Sequence, residues 1–241
     1  GFPWIHEDEG HYLRRAMHVL VGLGPQETSS DFDRPYDHPY FGQLFLGSIL
    51  HAVGYPDRVN SLSLVDDKNY DKNYIEMLYL APRLLMGILA IVDTFLVFMI
   101  AERKYNISVA LIASVLFAVM PLTWLLRGIF LDNILLPFLL LSILFAISGH
   151  GPKGEKKNHD SNNTQHHFIR KIILVLLSGI FLGIAIYTKS PAGTMIPLVA
   201  FVIYKNSKDF RLLAIWFIPV VLISALWPAY NILSGNLEDW I

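Results

Sequence analysis

Apolar runs separated by short charged segments fill most of the chain beyond residue 78, at roughly 79–101, 107–126, 131–148, 170–188, 191–204 and 212–230. A membrane-spanning helix needs about 20 apolar residues, with a range of about 17–25. The pattern therefore predicts an all-α polytopic membrane protein with a bundle of about six spans. The run 191–204 is the shortest and opens on Pro191. The stretch from Gln43 to Gly54 is too short to cross and predicts an interfacial or re-entrant helix. Between Glu9 and Val21 the apolar residues Leu13, Met17, Leu20 and Val21 recur at helical spacing, with Arg14, Arg15 and His18 on the other face. Gly22-Leu23-Gly24-Pro25 stops that helix. Residues 1–78 thus read as an outer loop with amphipathic and juxtamembrane helices. Residues 79–241 read as the transmembrane bundle, with a polar, flexible linker at 149–169.

Composition agrees with this partition. Hydrophobic residues make up 54% of the chain and charged residues 16%, and the mean hydropathy is +0.44. Soluble domains carry about 25% charge, so a membrane protein is expected. No basic patch suited to nucleic acid is present. The chain has no cysteine, which excludes thiol nucleophiles, disulfides and cysteine-ligated zinc. It begins at Gly1 without Met, and we expect it to be part of a longer polypeptide with at least one earlier span.

The net charge of −1 conceals a segregation. Residues 1–78 contain twelve acids and six Lys/Arg. The segments 102–106, 149–172 and 205–211 contain ten Lys/Arg and four acids. Excess Lys/Arg marks the cytoplasmic side. The basic loops are therefore expected in the cytoplasm, and residues 1–78 outside, in a lumen or the cell exterior.

The candidate chemistry gathers on the outer side. His6-Glu7-Asp8-Glu9-Gly10-His11 is a dense acidic cluster ahead of the amphipathic helix. Such carboxylates can act as a general base, hold a metal, or simply cap the helix that follows, where the dipole favours anions. His6 and His11 are five apart, so the HExxH zinc-protease pattern is absent. Charges at or within the spans are Arg83, Asp93, Arg127, Asp132 and Lys189, and intramembrane charges are functional candidates by default. Structural alternatives exist for four of them. Arg127 could pair with Asp132, Asp132 could cap a helix, Lys189 could snorkel to the interface, and Asp93 could be buried as a pair or protonated. Asn106-Ile107-Ser108 and Asn162-Asn163-Thr164 match the glycosylation sequon but fall on the expected cytoplasmic side.

Four patches in order resemble the GT-C membrane glycosyltransferases, in particular the polyprenyl (dolichyl)-phosphate-mannose protein mannosyltransferases and the aminoarabinose transferases. They are Asp8-Glu9-Gly10-His11-Tyr12-Leu13, Tyr36-Asp37-His38-Pro39-Tyr40-Phe41-Gly42, the Arg-x4-Asp segment from Arg127 to Asp132, and the Gly-rich span from Gly179 to Thr188-Lys189. Tyr40 stands where those families have the second proline of His-Pro-Pro, and Gln43 where a lysine is often found. The resemblance implies inverting transfer of a sugar from a polyprenyl-phosphate donor to a protein or lipid acceptor at the outer face. Asp8 would be the catalytic base, and Lys189 and Arg127 would bind the donor phosphate. Glu9, His38 and Asp132 would orient these groups or bind the acceptor. A divalent metal at the carboxylates is compatible with the residue types but not indicated by them. Two other readings stay open: an oligosaccharyltransferase-like GT-C enzyme, for which Asp31-Phe32-Asp33 is the sole Asp-x-Asp match in the loop, and a transporter with an intramembrane charged path.

Overall fold

The computed structural model describes residues 7–22, 38–55, 72–120, 128–149 and 161–233. Every regular element among these is helical. Two short helices come first: α1 (Glu7–Leu20) and α2 (Phe41–Ala52). Then follow α3 (Lys72–Lys104), α4 (Ile107–Val119), α5 (Leu131–Ser148) and α6 (Ser161–Thr188). A 3-10 turn, Ser190–Met195, leads into α7 (Ile196–Ser207), α8 (Phe210–Ser224) and α9 (Leu226–Leu233). The all-α membrane architecture expected from the apolar runs is thus the observed one.

Among the described residues, four stretches are long and apolar enough to cross a membrane: Met77–Lys104, Leu131–Ser148, Phe168–Thr188 and Phe210–Leu233. Among the described residues the other two expected runs, 107–126 and 191–204, form shorter helices, and 121–126 lie outside those residues. α4 ends at Val119 because Met120 precedes a proline, which pushes it to extended backbone (φ −62°, ψ 131°). The run 191–204 is divided between the 3-10 turn and α7, with Pro191 in the first turn of the former. The stretch from Gln43 to Gly54 is a short helix as expected, ending in a turn with Gly54 at φ 91°. Residues 161–169, read as linker from their polarity, are the first turns of α6.

Two apolar cores hold the helices together. One joins α1, α2, the start of α3 and the segment at 129–134, around Leu13, Met17, Leu46, Leu50 and Met86. The other joins α5 to α8 around Val175, Leu182, Val199, Trp216 and Val220. Phe138 packs against both. Its ring meets Phe41 edge-on at 5.5 Å and stacks on Phe181 at 6.2 Å, which links α2 to α5 and α6.

Small residues set the closest approaches. A Cβ on Gly179 would lie only 2.3 Å from the carbonyl oxygen of Trp216, and one on Gly183 would lie 2.9 Å from Cβ of Ile223. Gly179 and Gly183 are one turn apart, so they form the small-xxx-small stripe that lets two membrane helices pack backbone to backbone. On α2, a Cβ on Gly42 would strike the Leu131 side chain at 2.5 Å and touch Thr188 at 3.4 Å. That fit seats the start of α2 between the start of α5 and the end of α6.

Candidate active site at one end of the bundle

α5 and α6 run in opposite directions, so the residue that opens one and the residue that follows the other meet. Asp132 lies in the first turn of α5, and Lys189 directly follows α6. The Lys189 Nζ donates to Asp132 Oδ2 at 2.8 Å and Oδ1 at 3.1 Å. Both side chains keep contact with solvent, Lys189 at 22% and Asp132 at 40% exposure. The ammonium has three protons, so it can meet an incoming anion while still held by the carboxylate. Among the described residues, then, Asp132 pairs with Lys189, 57 positions away in sequence.

The acidic pair of α1 divides its labour. Glu9 is buried, at 1% exposure, whereas Asp8 is exposed. Glu9 accepts from the Arg83 guanidinium through both oxygens, with Nε at 3.2 Å, and from the Ile129 backbone N–H at 2.9 Å. One carboxylate thereby joins α1, α3 and the turn before α5. The turn admits it because residue 128 is glycine: a Cβ there would lie 2.9 Å from Glu9 Oε1 and 2.7 Å from the Phe130 ring. Asn133 Nδ2 closes the turn from the other side, donating to Gly128 O at 2.7 Å. The start of α1 is thus linked through Ile129 and Gly128 to the start of α5, and through Asp132 to Lys189.

α2 brings His38 and Tyr40 to the same end. The His38 ring lies 6.0 Å from Tyr12 of α1, so it helps join the two short helices. Tyr40 stacks on Tyr230 of α9 at 5.8 Å, and Tyr230 stacks on Trp227 at 6.0 Å. Burial, and after it the neighbouring Tyr230 hydroxyl, push the Tyr40 phenol above its ordinary pKa. Tyr187 lies near the same cluster, its ring 6.4 Å from Phe41. The sequence offered no signal for this aromatic wall beyond the departure at Tyr40.

Of the expected site residues, Asp8, Glu9, His38, Asp132 and Lys189 belong to elements meeting at this end. Arg127 lies outside the described residues. Arg83, noted in the sequence only as an embedded charge, proves to be the partner of Glu9. The described parts of the basic segments lie at the opposite end of the bundle. There Asn206 Nδ2 of α7 donates to Ala146 O of α5 at 3.3 Å, and Arg103 and Lys104 end α3. Among the described residues, no three His, Asp or Glu side chains come together to hold a metal.

Residues 31–233 match the sequence model of the family described as dolichyl-phosphate-mannose-protein mannosyltransferase. The chain belongs to this family. Membership makes it a glycosyltransferase of the GT-C type and an integral membrane protein, in keeping with its apolar helices. The match takes in His38, Asp132 and Lys189 but begins after α1, so Asp8 and Glu9 stand ahead of it. No curated protein and no solved structure matches the chain.

Proposed function

We propose that this end of the bundle transfers mannose, or a related hexose, from a polyprenyl-phosphate donor to a protein or lipid hydroxyl at the outer membrane face, with inversion. The observation that carries the reading is the Asp132–Lys189 pair, which sits within the family match and presents a partly solvated cation at the end of the bundle where Glu9 fastens α1 to the turn before α5. The anchored Glu9 supports the same reading, because it links that start to the turn before Asp132.

In this mechanism the acceptor oxygen attacks the anomeric carbon from the face opposite the phosphate. The C–O bond to the acceptor forms as the C–O bond to the phosphate breaks, and the bonding pair leaves with the phosphate oxygen. Asp8 takes the acceptor proton, which a carboxylate within hydrogen-bond reach can do. Inverting glycosidases use a carboxylate base in the same way. Lys189 meets the charge that grows on the leaving phosphate, where a fixed cation is most effective. Asp132 holds Lys189 in place, Arg127 adds positive charge ahead of α5, and His38 lies beside the acceptor's approach. The charge segregation supports placing this end outside and the basic loops in the cytoplasm.

The test is sugar transfer in proteoliposomes supplied with radiolabelled polyprenyl-phosphate mannose and an acceptor peptide rich in Ser and Thr. The Asp8→Asn variant should bind the donor at normal affinity and lose at least 100-fold in turnover, the scale expected for general-base catalysis. Full turnover in Asp8→Asn removes Asp8 from the role. Solute uptake without transfer would sink the whole reading in favour of a transporter.

A further inference from the structure

α3, α4 and the start of α5 line a half-open cavity of about 680 Å³ that reaches Asn133 beside the turn before α5, and the proposed transfer mechanism gives it no role. Its walls are mainly apolar, with the rings of Phe95, Phe98 and Phe117 among them. Gly87 also lines it, and a Cβ added there would touch nothing within 4 Å. Asp93 of α3 forms part of the wall. This carboxyl is only 3% exposed, and its Oδ1 has no hydrogen-bond partner. Asp93 lies about 24 Å from Met77 and about 16 Å from Lys104 along α3, at the 1.5 Å rise of a helix. It is therefore deep within the apolar stretch, where an unsatisfied polar atom is costly.

The remaining polar lining has a consistent bias. Thr94 donates its hydroxyl proton to Ala90 O at 2.8 Å, and Ser114 donates to Leu111 O at 3.0 Å. Asn133 directs its amide to Gly128 O. Apart from one amide proton of Asn133, these groups have oxygen lone pairs left to offer. A cavity with aromatic walls, an unpartnered carboxyl and acceptor oxygens fits an apolar molecule bearing one hydrogen-bond donor. Among the described residues its lining has no Lys, Arg or His to hold an anionic headgroup, and so it differs from the phosphate-binding chemistry of Lys189.

We propose that this cavity binds a neutral lipid alcohol, an apolar body with a single hydroxyl that donates to Asp93. Polyisoprenoid alcohols and sterols both have this chemistry, and the experiment separates them. The full chain, in phosphatidylcholine nanodiscs, is irradiated with a diazirine-bearing polyprenol or a diazirine-bearing sterol, and labelled peptides are mapped. Saturable labelling of α3 or α4 is expected from at least one probe. Unlabelled alcohol of that class should compete; the corresponding hydrocarbon without the hydroxyl, and polyprenyl phosphate, should be at least tenfold weaker competitors. Asp93→Leu should reduce labelling at least tenfold, whereas Asp93→Asn, which retains an acceptor oxygen, should stay within about threefold of the parent. Non-saturable labelling with both probes, equal competition by the hydrocarbon, or undiminished labelling of Asp93→Leu overturns the proposal. Should Asp93→Leu fail to fold, the competition arm decides alone. None of these readouts depends on sugar transfer, so failure here leaves the reaction proposed for the other site untouched.

Discussion

Replacing Glu9 should destabilise the protein more than replacing any other acid of the first helix. Its carboxylate is buried and serves two guanidinium N–H groups and the Ile129 N–H. Removing one partner of a buried ion pair costs about 3–5 kcal/mol, because the other charge is left uncompensated. The Arg83 side chain retains 20% exposure, so water can recover part of its solvation. We therefore expect a loss near the low end, about 3 kcal/mol for Glu9→Ala and about 2 kcal/mol for Glu9→Gln, which keeps an acceptor for Ile129. At about 2–4 °C per kcal/mol for a chain of this size, Glu9→Ala should lower the melting temperature by about 6–12 °C. Tryptophan fluorescence of detergent-purified protein, followed during heating, reads this directly. The double variant Glu9→Leu with Arg83→Met removes both charges and should recover at least half of the loss, since apolar replacement of a whole pair is often neutral. A coupling energy below about 0.5 kcal/mol in that cycle would refute the pairing as a stabilising contact.

Three further outcomes follow from the packing and the site. Gly179→Ala brings a Cβ against the Trp216 carbonyl and should lower stability by about 1–3 kcal/mol through separation of α6 and α8, seen as an earlier thermal transition. Asn106 caps α4 by accepting from Val109 N at 3.0 Å, so Asn106→Ala should lower stability by about 0.5–2 kcal/mol, whereas Asn106→Asp, which keeps the cap, should change it little in the same melts. Lys189→Ala should weaken binding of polyprenyl-phosphate sugar, and Lys189→Arg should restore part of it; donor affinity unchanged in both would remove Lys189 from the phosphate site.

The long apolar helices were legible because about 20 hydrophobic residues in a row have few alternatives. Their ends were less so. Residues 161–169 are polar and carry no apolar period, yet extending an existing helix costs far less than starting one, so the helix of 168–188 continues back into them. The proline after Met120 was a readable stop that hydropathy alone overrides. The site was half legible. Which charges sit near one membrane face follows from the order of the spans, but their partners do not. Asp132 pairs with Lys189, 57 positions away, because antiparallel α5 and α6 bring those two positions together; the expected partner Arg127 lies outside the described residues. The Gly-rich span was read as a family mark; its glycines are explained by the backbone of α8 lying against them.

The adjacent acids at the start of α1 could have formed a carboxylate dyad, and the geometry argues against it. Successive helical residues point about 100° apart, as 3.6 residues per turn requires. Once Glu9 turns inward to Arg83 and Ile129, Asp8 must face another way, and it is exposed. Interchanging them would put the shorter side chain where a long reach is needed to span three segments. Because the Glu9 anchor positions the start of α1, rate should be sensitive to Glu9 even though its carboxylate is spent on protein donors. In the proposed reaction, Glu9 variants that still fold should therefore lose turnover with little change in donor affinity, as a displaced base does. Lys189 variants should lose donor affinity first. If Glu9 and Lys189 variants instead shared one kinetic profile, the division between an anchored base and a phosphate-facing cation would have to be abandoned.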